Sequence, residues 1–163
     1  MRVYGVVGWK NAGKTGLMER LVTEITGRDY SVSTVKHAHH RFDVDHAGKD
    51  SYRHRQAGAT EVLLASQNRF ALMHELRDED EPQLEDLLAK LAPVDLVLVE
   101  GYKQDRHPKV EAHRTVTGNP LIALTDDTIR AVASDTELEL DRPVFDLDDT
   151  KTIADFILQE VGL

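Results

Sequence analysis

Cysteine is absent from the 163 residues. That excludes disulfides, a thiolate metal site and a cysteine nucleophile. Basic residues are outnumbered, 20 Lys and Arg against 29 Asp and Glu, for a formal net charge of −9. Such a balance argues against a surface that attracts nucleic acid by general charge. A phosphate ligand must then be gripped by a local site, against the overall field. No apolar run approaches the ~18 residues of a membrane span, so no membrane association is expected. The chain opens directly on a strand pattern, so no secretory leader is expected. A cytoplasmic protein is the expectation. Neither a repeat nor a linker-like stretch interrupts the chain, so residues 1–163 are expected to form one nucleotide-binding domain.

What is present is concentrated near the start. Gly8, Gly13, Lys14 and Thr15 occupy the fixed positions of the phosphate-loop pattern G-x-x-x-x-G-K-[ST]. An apolar run, Val3 to Val7, precedes it. An amphipathic stretch with Leu17, Met18, Leu21, Val22 and Ile25 at helical spacing follows. Strand, glycine loop and helix are the arrangement that phosphate binding needs. Glycines let backbone N–H groups turn inward without Cβ clashes, and the helix N-terminus adds free donors and a partial positive charge. The candidate phosphate contacts are Gly8, Asn11, Ala12, Gly13, Lys14, Thr15 and Gly16. Lys14 would reach the β- and γ-phosphates, and the Thr15 hydroxyl would bind Mg2+.

Along the chain, a first helix is expected from Thr15 to Thr26, closed by Gly27 in the C-terminal glycine position. Ser31 to Lys36 alternates as a strand. The polar stretch His37 to Gly48 is too long for a simple turn, and loops of this length are often functional. A short helix is expected over Lys49 to Ala57, and a hairpin from Glu61 to Ala65 and Arg69 to His74. Pro82 suits a first helical position, with Leu84, Leu87, Leu88 and Leu91 on one face. Val94 to Val99 reads as a central parallel strand. Further strands are expected at Lys109 to Arg114, Leu121 to Leu124, Ile129 to Ala133 and Val144-Phe145. Asp149 or Thr150 caps a last helix through Val161. The alternation gives an α/β class: a three-layer P-loop NTPase fold, mostly parallel, with helices on both faces and an added β-hairpin. Sites in such a sheet gather at the carboxyl ends of the strands.

A P-loop needs an acid on a neighbouring strand to hold Mg2+. Asp95 begins its strand and so sits at the wrong end; Glu100 ends it, followed by Gly101, and is preferred. The segment from His37 to Ser51 offers His37, His39, His40, Asp43, Asp45, His46, Lys49 and Asp50. Three readings stay open for it. It orders over nucleotide or substrate, with Asp45 or Asp50 orienting water or completing the metal's shell. It holds a transition metal through His37 and His39. Or it is a solvated loop. For a base-reading carboxylate, Asp126 is the candidate, with Asp135 as the alternative; no Asn-Lys-x-Asp motif is present. Lys14, Glu100 and Asp45 are the residues expected to carry any chemistry.

Several segments together resemble the molybdopterin-guanine dinucleotide biosynthesis adaptor protein B (MobB) family. They are Gly8 to Thr15, Thr34-Val35-Lys36-His37, Phe42 to Ser51, Ala57-Gly58-Ala59, Val99 to Lys103 and Pro108 to Glu111. One departure is His46-Ala47-Gly48, where that family often has a proline before the glycine. The resemblance implies a GTP-binding homodimer that assists the guanylyltransferase attaching GMP to molybdopterin, with weak GTP hydrolysis of its own. Molybdopterin itself is then a further candidate ligand, and Lys36 and His37 candidate nucleotide contacts. The residues offer a surface for dimerisation at sheet edges or in the hairpin, through Val62, Leu64, Phe70 and Leu72. The competing reading is a small-molecule kinase on the same loop. Such kinases need an arginine-bearing lid, for which Arg53, Arg55 and Arg106 are the clustered candidates.

Overall fold

A computed structural model describes residues 1–38 and 42–163. In chain order the elements are β1 (Arg2–Val7), α1 (Lys14–Thr26), β2 (Val32–Lys36), α2 (Asp50–Gln56), β3 (Glu61–Ala65), β4 (Phe70–His74), α3 (Leu84–Leu88), β5 (Leu96–Glu100), β6 (Lys109–His113), a 3-10 turn (Ile122–Leu124), β7 (Ile129–Ser134), β8 (Val144–Asp146) and α4 (Thr150–Val161). They form two compact units, residues 1–37 with 84–163, and residues 38–83. None of the helices is long and apolar enough to cross a membrane, among the described residues.

The larger unit is built on a six-stranded sheet in the order β2-β5-β1-β6-β7-β8, with every pair parallel. Strand β5 lies inside it and is buried along its length, as its unbroken apolar run requires. One face carries α1 and α4. Leu17, Met18, Leu21 and Ile25 of α1, with Ile153, Ala154 and Ile157 of α4, close over Tyr4, Val6, Leu96 and Leu98. The other face is covered more thinly, by Leu84 of α3 against Val97 and Val99 and by Ala123 against Val7 and Val132. At the strand starts, the Asp95 carboxylate accepts from the Ser31 N–H at 2.8 Å and the Ser31 hydroxyl at 2.6 Å. Asp95 thus clasps β2 to β5 at their amino ends, the end away from the glycine loop.

Three elements depart from the sequence reading. Helix α1 does not end in a left-handed glycine; Gly27 stays right-handed at φ −64, and Asp29 makes the positive-φ turn. Helix α3 is one short turn with Pro82 outside it; Leu88 at its end and Leu91 beyond it still pack against the sheet. The expected strand at Leu121 to Leu124 is a 3-10 turn. Its cause is Glu111, fully buried in β6, whose carboxylate accepts from the N–H groups of Ile122 at 3.0 Å and Ala123 at 2.8 Å. A buried carboxylate needs donors, and a turn presents two adjacent N–H groups where a strand cannot.

The amino edge of the sheet holds a second buried polar group. Lys109 is fully buried; its ammonium donates to the Asp105 carbonyl, the His107 carbonyl and the Thr128 hydroxyl. Beside it His107 packs against Gly5, where an added Cβ would lie 2.6 Å from Nε2. Neither ring nitrogen of His107 has a hydrogen-bond partner among the described residues. Burial, and then the Lys109 charge, push its pKa down to about 4 from 6.5. Between those values the unfolded chain holds the proton and the folded chain does not, so stability falls as pH drops through that window. The loss expected on going from pH 7 to 4.5 is roughly 1–3 kcal/mol. Urea midpoints at both pH values check it: His107→Gln should lose less midpoint on acidification than the parent.

The smaller unit pairs β3 with β4 antiparallel and adds α2. Its centre is Arg55, whose guanidinium is 9% exposed and bonds Asp43 at 3.1 Å, Glu75 at 2.8 Å and Asp45 more closely still. Leu63 opposes Leu72, and Ala65 opposes Phe70, on one face of the hairpin. Leu63, Leu72 and Phe70 are exposed there. Val62, counted with the exposed set from sequence, is on the opposite face and buried.

Candidate functional site

Strand β1 runs directly into the glycine loop. Gly8 takes φ +146 and Gly13 φ +94, and Asn11 is left-handed at φ 66. These values turn the loop back on itself: the Ala12 N–H donates to the Trp9 carbonyl at 3.2 Å. Gly13 then caps α1 with no side-chain acceptor, so the first N–H groups of the helix face outward with their partial charge. Lys14 lies across the loop and donates to the Trp9 carbonyl at 2.7 Å. Trp9 is itself tied down by its indole N–H, which donates to the Pro120 carbonyl at 2.8 Å. The Lys103 ammonium stands 4.2 Å over the Trp9 ring. Gly16 continues the first turn of α1, beside Arg20.

The parallel register brings the other candidates to the same edge. Val6 pairs with Glu100, and Lys36 pairs with Glu100 from the other side. Glu100 is 8% exposed. Its Oε1 accepts from the Thr15 hydroxyl at 3.3 Å and lies 3.3 Å from the Lys36 ammonium. The Gly101 N–H donates to the Val6 carbonyl at 3.2 Å, and the His37 N–H to the Glu100 carbonyl at 2.9 Å. His37 stacks on Tyr102 at 4.7 Å. A Cβ on Gly101 would approach the His37 Cβ to 3.0 Å, so glycine keeps this crossing close. Burial lowers the Lys14 pKa against the pull of Glu100, with Lys103 and Lys36 adding to the lowering. Lys36 and Lys14 thus act on the Glu100 carboxylate and Lys103 acts on Lys14, a local positive field suited to a polyphosphate.

One candidate is placed elsewhere in the larger unit. Asp126 lies before β7, at the amino edge of the sheet. Its Oδ1 accepts from the Thr128 N–H and hydroxyl, and the Lys109 ammonium is 3.8 Å from Oδ2. The six residues of β7 put it about 20 Å from the carboxyl edge; the reading of Asp126 as a base contact is corrected on that ground. Asp135, the alternative, does follow β7 at the carboxyl edge, where Thr115 donates to it from N–H and hydroxyl. The Thr115 N–H holds its carboxyl below the usual range. Asp45 is committed to Arg55 within the smaller unit, and that ion pair holds its carboxyl low. Asp50 is exposed in the first turn of α2. His39, part of the metal reading, and His40 lie outside the described residues; among the described ones no group of three or more His, Cys, Asp or Glu is arranged to hold a metal. Of the lid arginines, Arg55 is buried in its ion pairs and Arg106 pairs with Asp127 at 3.3 Å.

Comparison with known proteins agrees with this geometry. The family described as "Molybdopterin guanine dinucleotide synthesis protein B" (MobB) matches residues 3–135. The molybdopterin-guanine dinucleotide biosynthesis adapter protein of Haemophilus influenzae is 42% identical over 94% of this chain and 85% of its own length. The protein of the same description from Escherichia coli is 40% identical over 93% of this chain and 88% of its own. The solved structure of a MobB protein homolog from Bacillus stearothermophilus superposes with a TM-score of 0.74 at 34% identity, covering 99% of both chains. With its glycine loop, parallel sheet and appended hairpin, the chain belongs to the molybdopterin guanine dinucleotide synthesis protein B (MobB) family.

Proposed function

We propose that the chain binds GTP with Mg2+ at the glycine loop and acts in the cytoplasm as an adapter for the guanylyltransferase that attaches GMP to molybdopterin. The observation that carries this reading is the meeting of Thr15, Glu100 and Lys36 at the mouth of the loop. The donor set fits Mg2+: a hydroxyl and a carboxylate oxygen, both hard ligands, on adjacent elements. The Lys36 ammonium stands beside the carboxylate as a cation would. Bound there, the metal would neutralise phosphate charge; Lys14 and the N–H groups of α1 would hold the phosphates, and Glu100 would orient the metal's shell. Hydrolysis by the chain alone is slow in this reading, since no residue of the loop supplies an arginine. The kinase alternative is weakened by the engagement of Arg55 and Arg106.

Glu100→Gln tests the metal role. It keeps the shape and removes one charge, so GTP affinity should fall about tenfold with Mg2+ present and little with EDTA. Equal loss under both conditions in a calorimetric titration would take Glu100 out of the metal site.

The working form is proposed to be a homodimer closed through the hairpin. Its face of Leu63, Phe70 and Leu72 is too apolar to be left to water, and the residues lie on a short two-stranded ribbon that gains from pairing. Light scattering at tens of micromolar should give twice the 18.3 kDa chain mass. Phe70→Glu with Leu72→Glu should give the single mass; a parent that is already monomeric sinks the proposal.

A further inference from the structure

Arg114 has no part in the site described so far. It follows β6, directly beyond His113, and stands at the carboxyl edge on the side of β1 away from Glu100. A Cβ built on Gly13 would lie 3.2 Å from Arg114 Nε and 3.6 Å from its Cζ. The guanidinium is therefore laid against the glycine loop. Leu147, just past β8, reaches the same spot, with Cδ2 at 3.2 Å. The backbone on either side is anchored. The Arg114 carbonyl accepts from the Thr117 N–H at 3.0 Å and hydroxyl at 2.9 Å, and Thr115 is bonded to Asp135. Yet the Arg114 guanidinium makes no hydrogen bond or ion pair among the described residues. An exposed planar cation lies beside the loop, on an anchored backbone, with its donors unspent.

From this we propose that Arg114 is the platform on which the nucleoside half of the bound nucleotide lies, its plane stacked on the purine. The proposal rests on the phosphate-loop reading. In that reading the metal-bound end of the triphosphate is fixed at Thr15 and Glu100, toward β5 and β2. The phosphate chain must then leave across Gly13, toward β6, β7 and β8. There it meets Arg114 first, with Leu147 as an apolar neighbour and the Asp135 carboxylate one strand further. Guanidinium planes stack on aromatic faces as ammonium groups do not. Asp135, with Oδ1 held by Thr115, would in this proposal accept from purine N–H groups.

The test uses the full chain in Mg2+ and two probes, GTP and inorganic tripolyphosphate, which has the phosphates and no nucleoside. Arg114→Ala should weaken GTP binding ten- to a hundredfold, the range expected for losing one stacked base, and should leave tripolyphosphate within about twofold. Arg114→Lys, which keeps the charge and loses the plane, should recover only part of the GTP affinity. Equal weakening of both probes would make Arg114 a phosphate ligand and overturn the proposal; so would full rescue by lysine, or no effect of alanine. Lys14→Ala, run beside them, should lose both probes. If the parent protein binds neither, the phosphate-loop reading itself falls and the proposal with it.

Discussion

Replacing Lys14 with alanine lowers GTP affinity by about two orders of magnitude and leaves the fold standing. Burial presses the Lys14 ammonium to lose its proton, and the like charges of Lys103 and Lys36 add to that pressure. An anionic ligand relieves that pressure. Without one, the ammonium rests on the Trp9 carbonyl, a neutral acceptor that a phosphate oxygen would outbid in charge. Charge-assisted hydrogen bonds of this kind are worth roughly 3 kcal/mol, about a hundredfold in affinity. On the stability side only the bond to Trp9 goes, a loss of about 1 kcal/mol. Calorimetric titration reads the first effect and thermal unfolding the second. Unchanged GTP affinity in the variant would remove the loop from the nucleotide site.

Gly8→Ala should strike the fold rather than the ligand. At φ +146 the position disfavours any side chain, and the added Cβ would lie 2.4 Å from the Ala112 carbonyl oxygen. That oxygen belongs to β6, the strand next to β1, and backbone cannot swing aside as a lysine tail can. The two strands would have to part where both are fully buried. Strain and lost packing together should cost about 3 kcal/mol or more. For a chain of this size that is a fall in melting temperature on the order of 10 °C. A variant that melts with the parent would mean that the close approach of Gly8 to β6 is wrong.

Local rules carried the elements whose reasons are local. The glycine loop, the amphipathic face of α1 and the unbroken apolar run of β5 each show their cause within a dozen residues. So does the cap of α4, where the Asp149 carboxylate accepts from the Thr152 N–H at 3.2 Å. The failures have causes that lie far along the chain. Leu121 to Leu124 reads as a strand until Glu111, ten residues earlier, is known to be buried beneath it. Asp126 follows an apolar run as base-reading acids do, but the run is not a strand, so the acid falls at the start of the next one. Arg114 carried no signal at all, because only the parallel pairing of β6 beside β1 lays it on Gly13. Glu100 lies at the end of β5, where it was expected, since a strand's end can be read from its beginning.

The clasp between Ser31 and Asp95 joins positions 64 apart in sequence, and β1 meets β5 across a still longer stretch of chain. Pairings of such separation form late, since the intervening chain must be closed into a loop before any contact rewards it. The Lys36–Glu100–Thr15 cluster exists only once both pairings are made in register. A slip of one residue in β2 would send Lys36 to the opposite face. A nascent or partly folded chain can therefore show the glycine loop and α1 and still have no acid beside them. In the proposed reading, competence for metal-nucleotide comes with the last steps of folding, so its first appearance in a refolding reaction should coincide with completion of the sheet rather than with the early gain of helix.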